Sequence, residues 1–255
     1  MDDYKLGMIN SPYTSKAINL KELKSYYKDA LTTLPKRPLA FGHEDLIKTW
    51  GMLANDRLGC CVQSGIAHQI MLWTAMGSKP IARFTDKEIE QHYSEVTGYN
   101  PNDPSTDNGT MPATEYKYLK NYGIKDTDGN VHKIEKHIAL EPGDLDDLYN
   151  STYLFGSSCI GIQVPENAID QFEQGKPWSV VAGTTTEGGH YIPAVAYRGS
   201  IYVVTWGRIQ KMTQKFYEKY CSEAACILTP EMFNGNGYTP DGFHIDELKR
   251  DLNLL

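Results

Sequence analysis

The chain has no hydrophobic run long enough to cross a membrane. Its first residues, Met1-Asp2-Asp3-Tyr4-Lys5, lack the basic and apolar regions of a signal peptide. These absences predict a cytoplasmic protein that is not secreted. Cysteine is sparse: five residues (60, 61, 159, 221, 226), an odd number, so at least one has no intramolecular disulfide partner. In a reducing compartment all five read as thiols. Positive charge is also short. With 25 Lys and Arg against 32 Asp and Glu, the net charge is −7, which argues against a nucleic-acid partner. No internal repeat or low-complexity segment is present. No metal motif is complete. Cys60, Cys61 and His68 match no zinc spacing, since adjacent cysteines poorly supply two tetrahedral corners. Lys125 to Asn130 resembles half of an EF-hand loop, but His137 stands where the closing Glu is needed. Neither metal nor cofactor is expected.

At 255 residues the chain can bury a sizeable core, as one two-lobed domain or two small ones. Two stretches carry chemistry. The first is Asn55-Asp56-Arg57-Leu58-Gly59-Cys60-Cys61, a polar loop running straight into a helical pattern through Val62, Ile66, Ile70 and Trp73. It places a thiol at a helix N-terminus, where unpaired N–H groups and the helix dipole favour the thiolate. Two buried cysteines opening a core helix are the plainer reading, unless a base stands elsewhere. The second stretch supplies one. Gly188-Gly189-His190 opens an apolar run to Tyr197, and Arg198-Gly199-Ser200 turns the chain into Ile201 to Thr205 and then Trp206-Gly207. This pattern predicts a β-hairpin with His190 at the head of its first strand. An upstream helix-start Cys with a downstream strand His is a nucleophile–base arrangement.

With these residues in view, the chain resembles papain-like cysteine peptidases across roughly residues 50 to 207. Asn55 stands six residues before Cys61, the spacing of the family's oxyanion-hole Gln and its nucleophile. Thr85-Asp86-Lys87-Glu88 with Tyr93-Ser94 is similar to the entry of the family's second helix. Asp107-Asn108-Gly109-Thr110, followed by a helix ending in Tyr122-Gly123, is similar to its substrate-binding segment. His190 and Thr205-Trp206-Gly207 complete the likeness. More narrowly, Asn-Asp-x-x-Gly-x-Cys and Val-Thr-Trp-Gly resemble uncharacterised papain-like proteins of tailed phages and bacteria, a group with no settled substrate. The resemblance implies an α+β, two-lobed fold. A helical N-terminal lobe would carry the central Cys-bearing helix and an antiparallel β lobe would follow, with the cleft between. It also implies a peptide or protein substrate, with Gly109 and Trp206 lining the binding site.

Along the chain, Leu20, Leu23, Tyr27 and Leu31 predict a short helix over 21–34, broken at Pro35. Residues 1–45 read as an arm packed on the domain or on a partner, with room for an inhibitory segment but not a full prodomain. The papain-like domain is expected over 46–255: a helical lobe at about 46–124, a β-rich lobe at about 125–233 and a tail over 234–255. Helices are expected from Cys61 to about Met76, from a capping box at Thr85/Glu88 to near Gly98, over about Pro112–Tyr122, and over Asp144–Phe155. Strands are expected over Val131–Leu140, Ser158–Val164 and Ala225–Leu228. Thr213 would cap a helix reaching Cys221, and the chain would end in an amphipathic helix over Ile245–Leu255.

The implied chemistry has Cys61 attack a carbonyl carbon as thiolate, with His190 holding and later delivering the proton. The Cys61 N–H and the Asn55 side chain would hold the oxyanion. A second geometry, with Asp56 and Cys60, stays open, although an ionised Asp56 is a poor oxyanion donor. One departure stands out. Where the family carries the Asn that orients the base, two residues before the Trp, this chain has Val204. Thr205 can reach His190 only if a bulge turns it to that face; otherwise a carbonyl or water must serve. Three readings follow. One is a cysteine peptidase or amidase. Another is a cell-wall amidase, for which no wall-binding module is evident. The third is a weakly active or inactive papain-like binding or structural protein, such as a virion component docking through its N-terminal arm. A phage-encoded chain would then lie in the host cytoplasm or the virion.

Overall fold

The computed structural model describes residues 4–11, 37–246 and 249. The helix expected over 21–34 and all but the start of the one expected over 245–255 lie outside the described residues. At the centre is helix α1, Cys61–Met76. The expected face of Val62, Ile66, Ile70 and Trp73 is buried, and so is nearly every other side of the helix. Its polar residues are buried with partners. Gln63 donates to Glu115, Ser64 to the Leu53 carbonyl and Gln69 to Ser157, while His68 Nε2 lies 3.0 Å from the Gly51 carbonyl. A helix buried all round thus stays free of unpaired polar groups.

Helices α2 (Asp86–Thr97) and α3 (Pro112–Asn121) pack beside it. The Thr85/Glu88 capping box is formed in both directions, and Gly98 closes α2 at φ +79. Then the chain turns to sheet. Strands β2 (Ile124–Lys125) and β3 (Val131–His132) form a small hairpin. The 131–140 run expected as one strand is two: β3 pairs with β2, whereas β4 (Lys136–Leu140) pairs with β9 (Cys221–Leu228). The chain changes partner between them, and a β-period alone cannot show that. The main sheet runs β4, β9, β5 (Ser158–Pro165), β6 (Thr186–Tyr197), β7 (Ile201–Thr205), β8 (Arg208–Met212), with β1 (Phe41–Gly42) also paired to β6. Helices α4 (Leu145–Phe155), α5 (Asn167–Glu173) and α6 (Gln214–Tyr220) cover it. Thr213 caps α6 as expected, but Cys221 belongs to β9 rather than to the helix. His190 does not head its strand: β6 starts at Thr186, because Gly188 and Gly189 already pair with Val164 and Gln163 of β5.

The architecture is α+β, a helical lobe followed by an antiparallel one. The two meet where α1 crosses β6. Gly65 makes the crossing close: a Cβ there would stand 2.5 Å from the Tyr191 ring. Among the described residues, no helix is long and apolar enough to cross a membrane.

Candidate active site at the lobe junction

The approach to Cys61 is bent by local conformation. Leu53 and Ala54 both adopt positive φ (57 and 60), an uncommon choice for residues with a Cβ. The Ala54 N–H donates to Asp86 Oδ1 at 2.9 Å, and the Ser64 hydroxyl donates to the Leu53 carbonyl at 2.8 Å, so both lobes of the bend are tied down. Asn55 follows, buried, with its side-chain oxygen free of hydrogen bonds. The two adjacent cysteines then diverge. Cys60 Sγ turns inward, 3.4 Å from Ser64 Oγ and 3.7 Å from the Leu53 carbonyl, and burial pushes its thiol up to about 12. Cys61 Sγ instead meets the strand that carries the histidine: it accepts from the Tyr191 N–H at 3.5 Å.

His190 Nε2 lies 2.8 Å from Thr205 Oγ1. Its ring stacks on Trp206, with centroids 4.6 Å apart and planes 17° from parallel. Nδ1 is buried without a hydrogen-bond partner. The register between β6 and β7 explains why Thr205, not Val204, reaches the imidazole. Tyr197 pairs with Ile201 and Ala196 with Tyr202, but a bulge follows and Ala194 pairs with Val203. The extra residue in β6 moves Val203 and Thr205 onto the face shared by Ala194, Ile192 and His190. Without it, Val204 would occupy that face. Val204 is instead buried as an apolar core residue. Trp206 leaves the strand at φ +44, and Gly207 bridges back to Gly51, which ties this turn to the nucleophile loop.

Across these groups lies a segment from within residues 1–45, the stretch read above as an arm. Residues 4–11 form an extended strap between the lobes. Lys5 N–H donates to the Asn55 carbonyl at 3.3 Å, Met8 N–H to the Gly189 carbonyl at 3.0 Å, and Ile9 N–H to the Thr110 carbonyl at 3.0 Å. Thr110 N–H donates back to the Gly7 carbonyl at 2.8 Å, and Ser11 N–H to Glu223 Oε2 at 2.9 Å. Tyr4 packs on Trp206, with centroids 4.7 Å apart, and Met8 fills a seat against Gly161. Glycine makes the fit. A Cβ on Gly7 would stand 2.0 Å from the Gly59 carbonyl oxygen, and one on Gly109 would stand 2.1 Å from the Gly7 carbonyl oxygen. The local sequence signal is Gly7 within the short apolar run Leu6-Gly7-Met8-Ile9.

Burial sets the electrostatics. Cys61 and His190 are fully buried. Burial pushes the Cys61 thiol up to about 11, against the pull of the Tyr191 and Gly7 amides, and pushes His190 down to about 3. Under the strap both groups are neutral. Of the residues expected from the sequence, His190 meets Thr205 and Trp206, Cys61 Sγ meets the Tyr191 amide of the same strand while His190 Nδ1 has no hydrogen-bond partner, and Asn55 and Gly109 lie along the same strap.

No protein-family model matches the sequence, and no curated protein is similar to it. Solved structures are. Xylellain, a cysteine protease from Xylella fastidiosa, superposes with a TM-score of 0.65 at 14% identity, over 89% of this chain and 97% of that one. Digestive procathepsin L 3 of Tenebrio molitor larval midgut gives 0.58 at 11% identity, over 89% and 76%. Bromelain from Ananas comosus, in complex with the E64 inhibitor, gives 0.54 at 9% identity, over 75% and 99%. The fold of this chain is therefore that of the papain-like cysteine proteases.

Proposed function

We propose that the chain is a papain-like cysteine peptidase or amidase, held latent by its own N-terminal strap. The observation that carries this reading is the meeting of Cys61 at the start of α1 with the His190 strand, where Thr205 holds the imidazole and Trp206 covers it. In the uncovered site His190 takes the thiol proton through Nδ1, while Thr205 accepts from Nε2–H and keeps that tautomer and ring orientation. The thiolate attacks the carbonyl carbon. Asn55 and the Cys61 N–H hold the oxyanion, His190 protonates the leaving amine, and a water then clears the thioester. The expected lobes, 46–124 and 125–233, supply the two walls of the cleft, and the Gly109 and Trp206 surfaces receive the peptide. The arm over 1–45 acts through residues 4–11. It offers Cys61 the Gly7 N–H rather than a carbonyl carbon, so it is held and not cut. The free thiols at all five cysteines suit a reducing compartment.

The test is the alkylation rate of Cys61 against pH in a Cys60→Ser background, with the strap displaced by Gly7→Ala, and with and without His190→Ala. The expected result is a thiol pKa well below about 8.5 that rises when His190 is removed. It should be accompanied by peptide hydrolysis that Cys61→Ala abolishes. A thiol that titrates as an ordinary one regardless of His190 would sink the enzyme reading and leave a papain-like binding or virion protein.

A further inference from the structure

Asp107 is a part-buried carboxylate that ties the nucleophile loop to the Gly109 segment of the same lobe, and the chemistry above makes no use of it. Both of its oxygens accept from the Gly59 N–H at 3.1 Å, and Oδ1 also accepts from the Tyr93 hydroxyl at 2.6 Å. The Tyr93 oxygen in turn accepts from the Gly109 N–H at 2.9 Å. A continuous chain of hydrogen bonds therefore runs from Gly59, two residues before Cys61, to Gly109, where the strap lies and a peptide would lie. Burial holds the Tyr93 phenol well above its ordinary range, so it stays protonated and donates to the carboxylate. The loop is drawn hard against Asp107: a Cβ on Gly59 would stand 2.8 Å from Oδ1. The Tyr93–Asp107 bond, at 2.6 Å, has the short length of a hydroxyl donating to a carboxylate. These bonds tie together two backbone segments that pass close to each other, a Cβ on Gly59 standing 3.5 Å from the Gly109 Cα. On the outer side the Lys5 ammonium, which belongs to the strap, lies 3.9 Å from Oδ2.

We propose that Asp107 is a positioning residue, resting on the Cys61 hydrolase reading. Its carboxylate, with the Tyr93 hydroxyl as relay, fixes the distance between the Cys61 loop and the Gly109 wall, so that a peptide bound on the wall presents its carbonyl to the sulfur. The role concerns a spacing and not the reactivity of the thiol. The two effects separate on two reagents: iodoacetamide needs only the thiol, whereas a dipeptidyl epoxysuccinate must also lie on the wall.

The test measures both inactivation rates in the full chain carrying Gly7→Ala and Cys60→Ser, and in Asp107→Ala, Asp107→Asn and Tyr93→Phe made in that parent. Asp107→Ala is expected to slow the peptidyl reagent by about tenfold or more relative to iodoacetamide, with KM for peptides rising more than kcat falls. Asp107→Asn keeps an oxygen that accepts from both donors and recovers most of the loss. Tyr93→Phe breaks only the Gly109 branch and shows the same selective loss. It keeps the ring, so the outcome stands even where Asp107→Ala fails to fold. An unchanged ratio of the two rates in Tyr93→Phe and in the folded Asp107 variants overturns the positioning role. A parent that reacts with iodoacetamide but ignores the peptidyl reagent overturns the hydrolase reading, and this inference with it.

Discussion

At the residue scale, a shift in strand register brings Thr205 to His190, and on the proposed reading this makes two substitutions informative. Thr205→Val keeps the shape and removes the hydroxyl 2.8 Å from His190 Nε2. Leaving a buried nitrogen unpaired costs about 1–3 kcal/mol. Felt only in the transition state, that amounts to a loss of about 5- to 150-fold in kcat/KM. Steady-state kinetics on the strap-displaced chain measure it, and an unchanged kcat/KM would remove Thr205 from the mechanism. Val204→Asn places the family's orienting residue at the family's sequence position, yet it should not help. Position 204 faces the core, so the amide would be buried without partners, and the variant is expected to melt lower with no gain in activity. Neither outcome was legible from residues 200–207 alone. The bulge that decides the face lies in the neighbouring strand, between Ala194 and Ala196.

At the scale of elements, α1 and the strap show opposite degrees of legibility. The helix was readable from local signals: a polar loop, a thiol at its first turn and apolar spacing to Met76. The α2 cap was readable for the same reason, since Thr85 and Glu88 satisfy each other within one turn. The strap is too short to carry a period, and its hydrogen bonds all go to segments far away in sequence. Its hold depends on close backbone approach, so a single methyl should release it. Gly7→Ala would set a Cβ 2.0 Å from the Gly59 carbonyl oxygen. Displacing the strap by as little as ~1.4 kcal/mol should speed iodoacetamide labelling of Cys61 by about tenfold. Mass spectrometry of the labelled peptide reads the rate. An unchanged rate in Gly7→Ala would mean that the strap does not gate the thiol.

At the scale of the whole molecule, two deeply buried histidines tie the fold to pH. Burial lowers His190 to about 3 and His68 to about 4, both from 6.5. Between these values and about 6.5 the unfolded chain binds protons that the folded chain refuses. Stability is therefore present above about 6.5 and lost as pH falls, by up to ~2–3 kcal/mol per pH unit for two such groups. His132 works the other way. Burial alone would lower it, but Glu231 and Asp126 outweigh burial and raise it, so its contribution is full below 6.5 and fades as pH rises through its folded value. It does not offset the acid loss. Urea midpoints should drop clearly from pH 7 to pH 5, and His190→Ala should flatten that slope. A midpoint independent of pH over this range would contradict the burial of both rings. What the sequence by itself determined was the set of parts: helices then strands, a thiol at a helix start, a histidine after paired glycines, and the likeness to papain-like peptidases. These are written in neighbouring residues and their spacing. What only the tertiary structure decided was which parts touch: Cys61 Sγ against the Tyr191 amide of the His190 strand, Thr205 Oγ1 against the imidazole, Asp107 between the Cys61 loop and the Gly109 segment, and residues 4–11 across them. Each of these depends on strand register or on backbone approach between distant segments, for which a linear sequence holds no local signal.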